Sequence, residues 1–392
     1  MVTRRAPPGF TLVELLVATA VTLVALGLAV VLVQPPAAAF HALPEAMDAQ
    51  QRIRVAVQTL VAAIGAAGAG PSLGWGASAM PTWPGVLPCD WKAGPLGSVP
   101  GGCARQDAIT VVAMEMAAPQ AMVMESLPGP GASIRVASLS ACSLAEAACR
   151  MHPGARALIT DGSAAWDVLS LTGVSADGTL LEHADDSLSR QYADGAIVGE
   201  VETTAFSLRL DPASQVTQLR RVTTGSSDLP VLDHVTALSF EYFGDPAEPQ
   251  VTDDGDADRR RTTYGPLPPP SGIDDPQDGW APGENCVFSR LDGQPRSRLV
   301  SLPAEASGLA RLPLSAFADG PWCPDGASPN RFDGDLLRIR LVRVTLRVQA
   351  QSASVRGTDV NWFSHPGAAR EAARLVPDLE VHVDVAIRNA RR

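Results

Sequence analysis

The sequence is almost without lysine: Lys92 is the single one, and arginine supplies nearly all the basic charge, so that 31 Lys and Arg face 42 Asp and Glu. With a formal net charge of -11, the chain lacks the clustered basic surface that phosphate-backbone binding needs, and direct nucleic-acid binding is not expected. Catalytic signatures are missing as well. There is no HExxH, no GxSxG elbow and no Walker loop, and the six histidines at 41, 152, 183, 234, 365 and 382 show no metal-ligand spacing. "GAAGAGPSLG" has glycines without the order of a dinucleotide fingerprint and reads as a helix stop. No catalytic residue and no cofactor is expected. CxxC pairs are absent too, and the spacing of the six cysteines fits neither a zinc ribbon nor a zinc finger.

What is present points to an exported, loop-rich chain. The 392 residues leave room for one large or two ordinary domains, and 34 glycines with 33 prolines call for many connecting loops. Cys89 and Cys103, Cys142 and Cys149, and Cys286 and Cys323 form three sequence-local pairs. Fifteen connectivities are open to six cysteines and sequence does not choose among them, but disulfides in an oxidising compartment are the favoured state.

The amino terminus gives the same orientation by independent physics. Phe10 to Val33 carries no charge except Glu14 and is long enough for a bilayer-spanning helix. Arg4 and Arg5 precede it and no Lys or Arg follows until Arg52, which keeps residues 1–9 in the cytoplasm and sends the remainder across the membrane. Pro35 and Pro36 either interrupt the helix or sit at a kink through which it continues. No second run of this kind occurs, so a single pass with an exported head is expected. A secretory signal peptide cut at Ala37, Ala38 and Ala39 to start the product at Phe40 is one reading, and a permanent signal anchor another. Neither gives Glu14 a purpose, and a glutamate in hydrocarbon costs at least a few kcal/mol.

Gly9-Phe10-Thr11-Leu12-Val13-Glu14, with Arg4 and Arg5 before it and an uninterrupted apolar run after it, resembles the class III leader of type IV pilins and type II secretion pseudopilins. The resemblance implies cleavage between Gly9 and Phe10 by a membrane-embedded prepilin peptidase, N-methylation of Phe10, and removal of residues 1–9. It also implies assembly with other major and minor pilins or pseudopilins. The new amine at Phe10 is then the natural partner for the Glu14 carboxylate of a neighbouring subunit, since pairing offsets the burial cost of either charge alone. The alternative is a tolerated glutamate near the membrane surface.

Beyond the span, Ile53, Val57, Leu60 and Ile64 recur at helical spacing, and Gly65, Gly68, Gly70 and Pro71 end the pattern. This helix is expected to lay its apolar stripe under a sheet. After Pro71, a turn-rich excursion to Cys103 precedes strand candidates at 107–114, 120–126, 132–137, 156–160, 166–171, 179–183, 196–210, 216–222 and 235–243. "LLRIRLVRVTLRVQA" alternates but changes phase between Leu341 and Val342, through a bulge or through burial of both faces. "DLEVHVDVAIRN" puts Leu379, Val381, Val383, Val385 and Ile387 on one face, with His382 on the wet side. The order and character of these carboxy-terminal segments are similar to PilW-type minor pilins and the larger J-type minor pseudopilins.

The expected fold is α+β: a transmembrane helix over 10–34 continues as an amphipathic helix over 35–70, packed on a largely antiparallel β head over 71–392. An acidic, proline-rich insertion occupies about 245–285. Within it Asp254, Asp256 and Asp258 alternate as in a calcium loop, although Arg259 and Gly265 break the EF-hand pattern, and a solvated loop is the favoured reading over a calcium site. The functional expectation is a noncatalytic minor pilin or pseudopilin of the inner membrane, its head in the periplasm and later in a filament. An exported enzyme or binding protein is the alternative.

Overall fold

The computed structural model describes residues 11–70, 82–91, 104–114, 120–137, 151–184, 188–223, 228–252, 260–270, 279–370 and 372–390. The chain divides into two compact units, one of residues 1–52 with 348–379, the other of 53–347 with 380–392.

Helix α1 runs over Leu12–Ala66. Its backbone stays helical through Pro35 and Pro36, so the two missing N–H donors do not end it, as is tolerated in membrane helices. In the first unit its early turns expose Leu, Val and Ala all round, and no described side chain between Leu12 and Val30 is covered. Further along, Ala42 and Ala46 pack against Ala350, Val355 and Val376. The Gln351 N–H donates to Glu45 Oε2 at 3.1 Å and its side-chain amide to Asp48 Oδ2 at 3.3 Å. Small alanines on the helix let the 348–379 segment approach closely, and two carboxylates pin it there.

In the second unit the helix buries Ile53, Ala56, Leu60 and Ile64, while Val57 is only half-buried. The stripe is thus the expected one rotated slightly toward the small Ala56. The helix ends as the glycines require: Gly68 is left-handed at φ 65°, and the Ala67 and Ala69 N–H groups turn back to Ile64 and Ala66. Asn389, near the end of the chain, donates from Nδ2 to the carbonyls of both Ala66 and Ala67 at 3.2 Å. It adds a side-chain donor to the carbonyls at the helix end, where intrahelical partners run out.

Ten strands make the first sheet: β1 (Val86–Leu87), β2 (Ala108–Met114), β3 (Gln120–Met122), β4 (Ile134–Arg135), β5 (Arg156–Thr160), β6 (Trp166–Val174), β7 (Leu180–His183), β8 (Ile197–Leu210), β9 (Thr217–Thr223) and β10 (Asp228–Asp233). The long β8 is its spine. Its first half pairs antiparallel with β3 and β5 and its second half with β2 and β9. One continuous strand therefore serves two sets of partners, which explains why it is buried on both faces over most of its length. Leu158 through Thr160, Leu169 and Val198 close the core around its first half, where Asp167 is fully buried and accepts from Ser189, Tyr192 and Asn330.

The remaining strands are β11 (Val235–Gly244), β12 (Val251–Thr252), β13 (Arg261–Thr262), β14 (Phe288–Leu291), β15 (Gln294–Ser297), β16 (Ala310–Leu312), β17 (Trp322–Cys323), β18 (Phe332–Asp333), β19 (Ile339–Val348) and β20 (Leu379–Ala386). The second sheet has the order β16-β11-β19-β20, and three short hairpins, β12/β13, β14/β15 and β17/β18, lie between β11 and β19 in sequence. Burial in β19 changes phase where its sequence does: Ile339 and Val342 are buried with Leu341 half-buried between them, and Val344, Leu346 and Val348 follow in alternation. β20 keeps its valines inward, with Glu380, His382 and Asp384 exposed, and Asp384 accepts two bonds from Arg343 at 2.7 and 2.9 Å.

The excursion after Pro71 is less loop-like than its composition. Within it β1 pairs with β2, and Trp83, Cys89 and Trp91 are buried. Gly68 donates to the Val112 carbonyl at 2.9 Å, and a Cβ at Gly85 would stand 2.4 Å from the Gly68 nitrogen. Only hydrogen fits where the helix end meets this edge. Gly85→Ala is therefore expected to lower stability by about 1–3 kcal/mol, while Gly129→Ala, which meets nothing within 4 Å, stays near neutral. Urea unfolding of the two variants measures the difference.

Candidate functional site

The start of α1 is a built charge site. Thr11 stands before the first helical residue, and its N–H and Oγ1 both donate to Glu14 Oε2 at 2.9 Å. In return the Glu14 N–H donates to Thr11 Oγ1 at 3.3 Å. Thr11-Leu12-Val13-Glu14 is thus a reciprocal capping box, with the carboxylate also placed against the positive end of the helix dipole. The T-x-x-E spacing before an apolar run carries this signal in the sequence, and the reading from the charge alone passed over it.

Along the span the other polar side chains are already satisfied. Thr19 Oγ1 donates to the Leu16 carbonyl at 2.9 Å and Thr22 Oγ1 to the Ala18 carbonyl at 2.7 Å. Glu14 differs: Oε2 takes both Thr11 bonds, and Oε1 has no hydrogen-bond partner among the described residues. An exposed carboxylate with half its acceptor capacity unspent can receive a cationic donor from outside its own helix.

A model of the prokaryotic N-terminal methylation motif matches residues 4–30. The motif and the apolar helix that carries it are consistent with a type IV prepilin-like protein. The match spans the basic leader, the Gly9-Phe10 junction, Glu14 and most of the apolar span. No curated protein and no solved structure is significantly similar to the chain. The apolar helix, the helical continuation and the largely antiparallel sheets are consistent with a pilin-like α+β fold. The prepilin-type motif points to a structural subunit rather than an enzyme.

Arg4, Arg5, Gly9 and Phe10 lie outside the described residues, as do Cys103, Cys142, Cys149 and the alternating Asp254, Asp256 and Asp258. Cys286 and Cys323 form a disulfide with Cα atoms 5.1 Å apart, and Cys89 is buried and disulfide-bonded. Disulfides of this kind belong to an oxidising compartment.

A different acidic group emerges in the fold. Asp319, Asp333 and Asp335 bring carboxylate oxygens within 4.8 Å of one another. Nothing in sequence spacing announces it, because β17, β18 and the turn after them bring Asp319 back to the later pair. Asp333 accepts from the Gly320 and Asp335 N–H groups at 2.6 and 2.9 Å, and Asp335 pairs with the fully buried Arg338 at 3.1 Å. Arg338 in turn donates to Tyr264 and to the Val300 carbonyl at 3.1 Å. Burial pushes the carboxyls of Asp333 and Asp335 up to about 6 each, opposed by backbone bonds at the first and by Arg338 at the second.

Because both values are raised in the folded state, these two carboxyls hold more protons in the native protein than in the unfolded chain between about pH 4 and 6. Stability from this pair is therefore greatest at the acid end of that window and is lost as pH rises through about 6. Asp177, Asp211 and Asp384 are shifted the other way by hydrogen bonds, and their contribution is lost only below the ordinary carboxylate range. The melting temperature is expected to fall as pH goes from about 4 to 6, and Asp335→Asn to flatten that slope. A melting series at constant ionic strength checks it, and an unaltered slope in the variant removes Asp335 from the account.

Proposed function

We propose that the protein is a noncatalytic minor pilin or pseudopilin subunit, of PilW or J type, that is processed by prepilin peptidase and helps to prime assembly of a type IV pilus or a type II secretion pseudopilus. The observation that carries this reading is the methylation motif over residues 4–30, with a half-satisfied carboxylate in the first turn of an otherwise apolar, exposed helix.

On this reading water cleaves the Gly9-Phe10 peptide bond, releasing residues 1–9 with a carboxyl terminus at Gly9 and leaving an amine at Phe10. Methylation keeps that nitrogen cationic. The segment 10–34 stays in the inner membrane with Arg4 and Arg5 on the cytoplasmic side before cleavage, and the disulfide-bonded head lies in the periplasm. When subunits pack side by side through the apolar helix, a neighbour's Phe10 amine reaches Glu14 Oε1. Pairing removes the cost of burying either charge alone and fixes the axial register. The large head, carried on 35–70 and following residues, selects the other minor subunits.

The capping box offers a second role for Glu14, entirely within one chain, and the two roles predict different mutants. A cap is worth about 1 kcal/mol to the helix start, and Thr11→Val removes the hydroxyl bonds while leaving the carboxylate. Glu14→Ala removes both. Glu14→Ala is expected to insert in the membrane as the parent does yet to be reduced severalfold in sheared filament fractions, with Thr11→Val retaining most incorporation. Equal loss in both would assign Glu14 to the cap alone, and unchanged incorporation of Glu14→Ala would remove the pairing.

A further inference from the structure

In the first unit, the 348–379 segment exposes two large apolar side chains on a single turn: Val360 is 80% exposed and Trp362 59%. Trp362 is the one exposed aromatic among the described residues. Isolated surface valines need no explanation, but this turn is held in place from several sides. The Trp362 and Phe363 N–H groups donate to the Asp359 carbonyl at 3.1 and 3.0 Å, and the Asn361 N–H and Nδ2 both reach Asp359 Oδ1. From further along the segment, the Asp378 N–H donates to the Trp362 carbonyl at 3.0 Å, and Asp378 Oδ2 accepts two bonds from Ser364. Phe363 is buried against Gly357, where a Cβ would come within 2.8 Å of its ring. The chain thus turns Phe363 inward and fixes Val360 and Trp362 outward.

The height of this segment on α1 is known from its own contacts. It grips Ala42, Glu45, Ala46 and Asp48, the nearest being 9 residues past the end of the uncharged apolar run at Val33. At 1.5 Å per residue that is about 14 Å. A headgroup layer is about 5–8 Å thick, so about 6–9 Å separates the grip from the lipid polar groups by the same rises. A compact 32-residue segment has a radius of gyration of about 8 Å and can bridge that gap. Tryptophan is the side chain that belongs at such a boundary, apolar in its body and with an indole N–H to bond water or phosphate. The exposed Arg370 of the same segment is suited to lipid phosphate.

We propose that the Val360–Trp362 turn seats in the headgroup layer of the same bilayer that α1 spans, as a second, shallow membrane anchor. The anchor holds the unassembled subunit in one orientation at the membrane and must leave the lipid when α1 does. This rests on α1 being membrane-embedded and is independent of incorporation into a filament.

The test uses the full-length protein in vesicles of phosphatidylethanolamine and phosphatidylglycerol, with bromine placed near the top of the acyl chains as a contact quencher. None of the seven tryptophans lies in the apolar span. The parent is expected to show quenching relative to unbrominated vesicles, Trp362→Phe to lose it, and Val360→Asp, which keeps the tryptophan, to weaken it. Both variants are expected to float with vesicles and to be cut at the amino terminus like the parent, which separates this result from the processing reading. Quenching that is absent in the parent, or identical in Trp362→Phe, overturns the proposal. So does an emission shift that grows with protein density in the membrane and ignores bromine, because the turn is then a contact between subunits. Failure to float overturns both the anchor and the span on which it rests.

Discussion

A single carboxylate near the start of a long apolar helix is the constraint from which the rest follows. After Glu14 no Asp, Glu, Lys or Arg occurs until Glu45, so the helix offers no internal counter-charge once it leaves water. The Thr11 cap satisfies one oxygen and the helix dipole favours the charge, but a hydroxyl and an N–H do not neutralise an anion. A permanent span gains nothing from such a residue. A helix that must leave lipid and pack among copies of itself gains a register, because a misaligned neighbour buries both charges unpaired. The energetic asymmetry matters more than the strength of the pair: breaking a buried ion pair costs about 3–5 kcal/mol, whereas making one roughly breaks even.

The other end of α1 obeys a different constraint. The helix must hand the chain to a β-rich unit without leaving its last carbonyls bare, and it does so through Gly68, through Asn389 and through backbone pairing onto β2. β8 then carries most of the first sheet, because a 14-residue strand can hold two sets of partners along its length. Deeper in the second unit, buried charge is handled by pairing: Asp167 is surrounded by donors, and Arg338 links Asp335, Tyr264 and the Val300 carbonyl.

Much of this was legible in the sequence where the pattern was long. The strands β2, β5, β8, β9 and β11 fall within a few residues of their expected ranges, and the inward valines of β20 and the phase change in β19 follow from alternation that no loop interrupts. The short hairpins between β11 and β19 were not legible, since two- to four-residue strands carry no period to detect. β1 was hidden for the same reason inside a turn-rich stretch. At the candidate site, Glu14 stood out by its isolation, while the capping box that holds it was passed over although its T-x-x-E spacing is in the sequence. The acidic trio did not stand out, because Asp319 and Asp333 meet only after the chain has folded back through a hairpin. Six cysteines allow fifteen connectivities, and the pairing of Cys286 with Cys323 was settled only by distance.

The central claim, that the amino terminus is a processed assembly helix, is tested most directly by the intact mass and amino-terminal sequence of the protein from cells with an active prepilin peptidase. The account predicts a chain that begins at N-methylated Phe10 and keeps Glu14 in its first helical turn. A chain that begins at Phe40 would contradict it, since ordinary signal cleavage discards Glu14 and leaves the head as a separate exported domain.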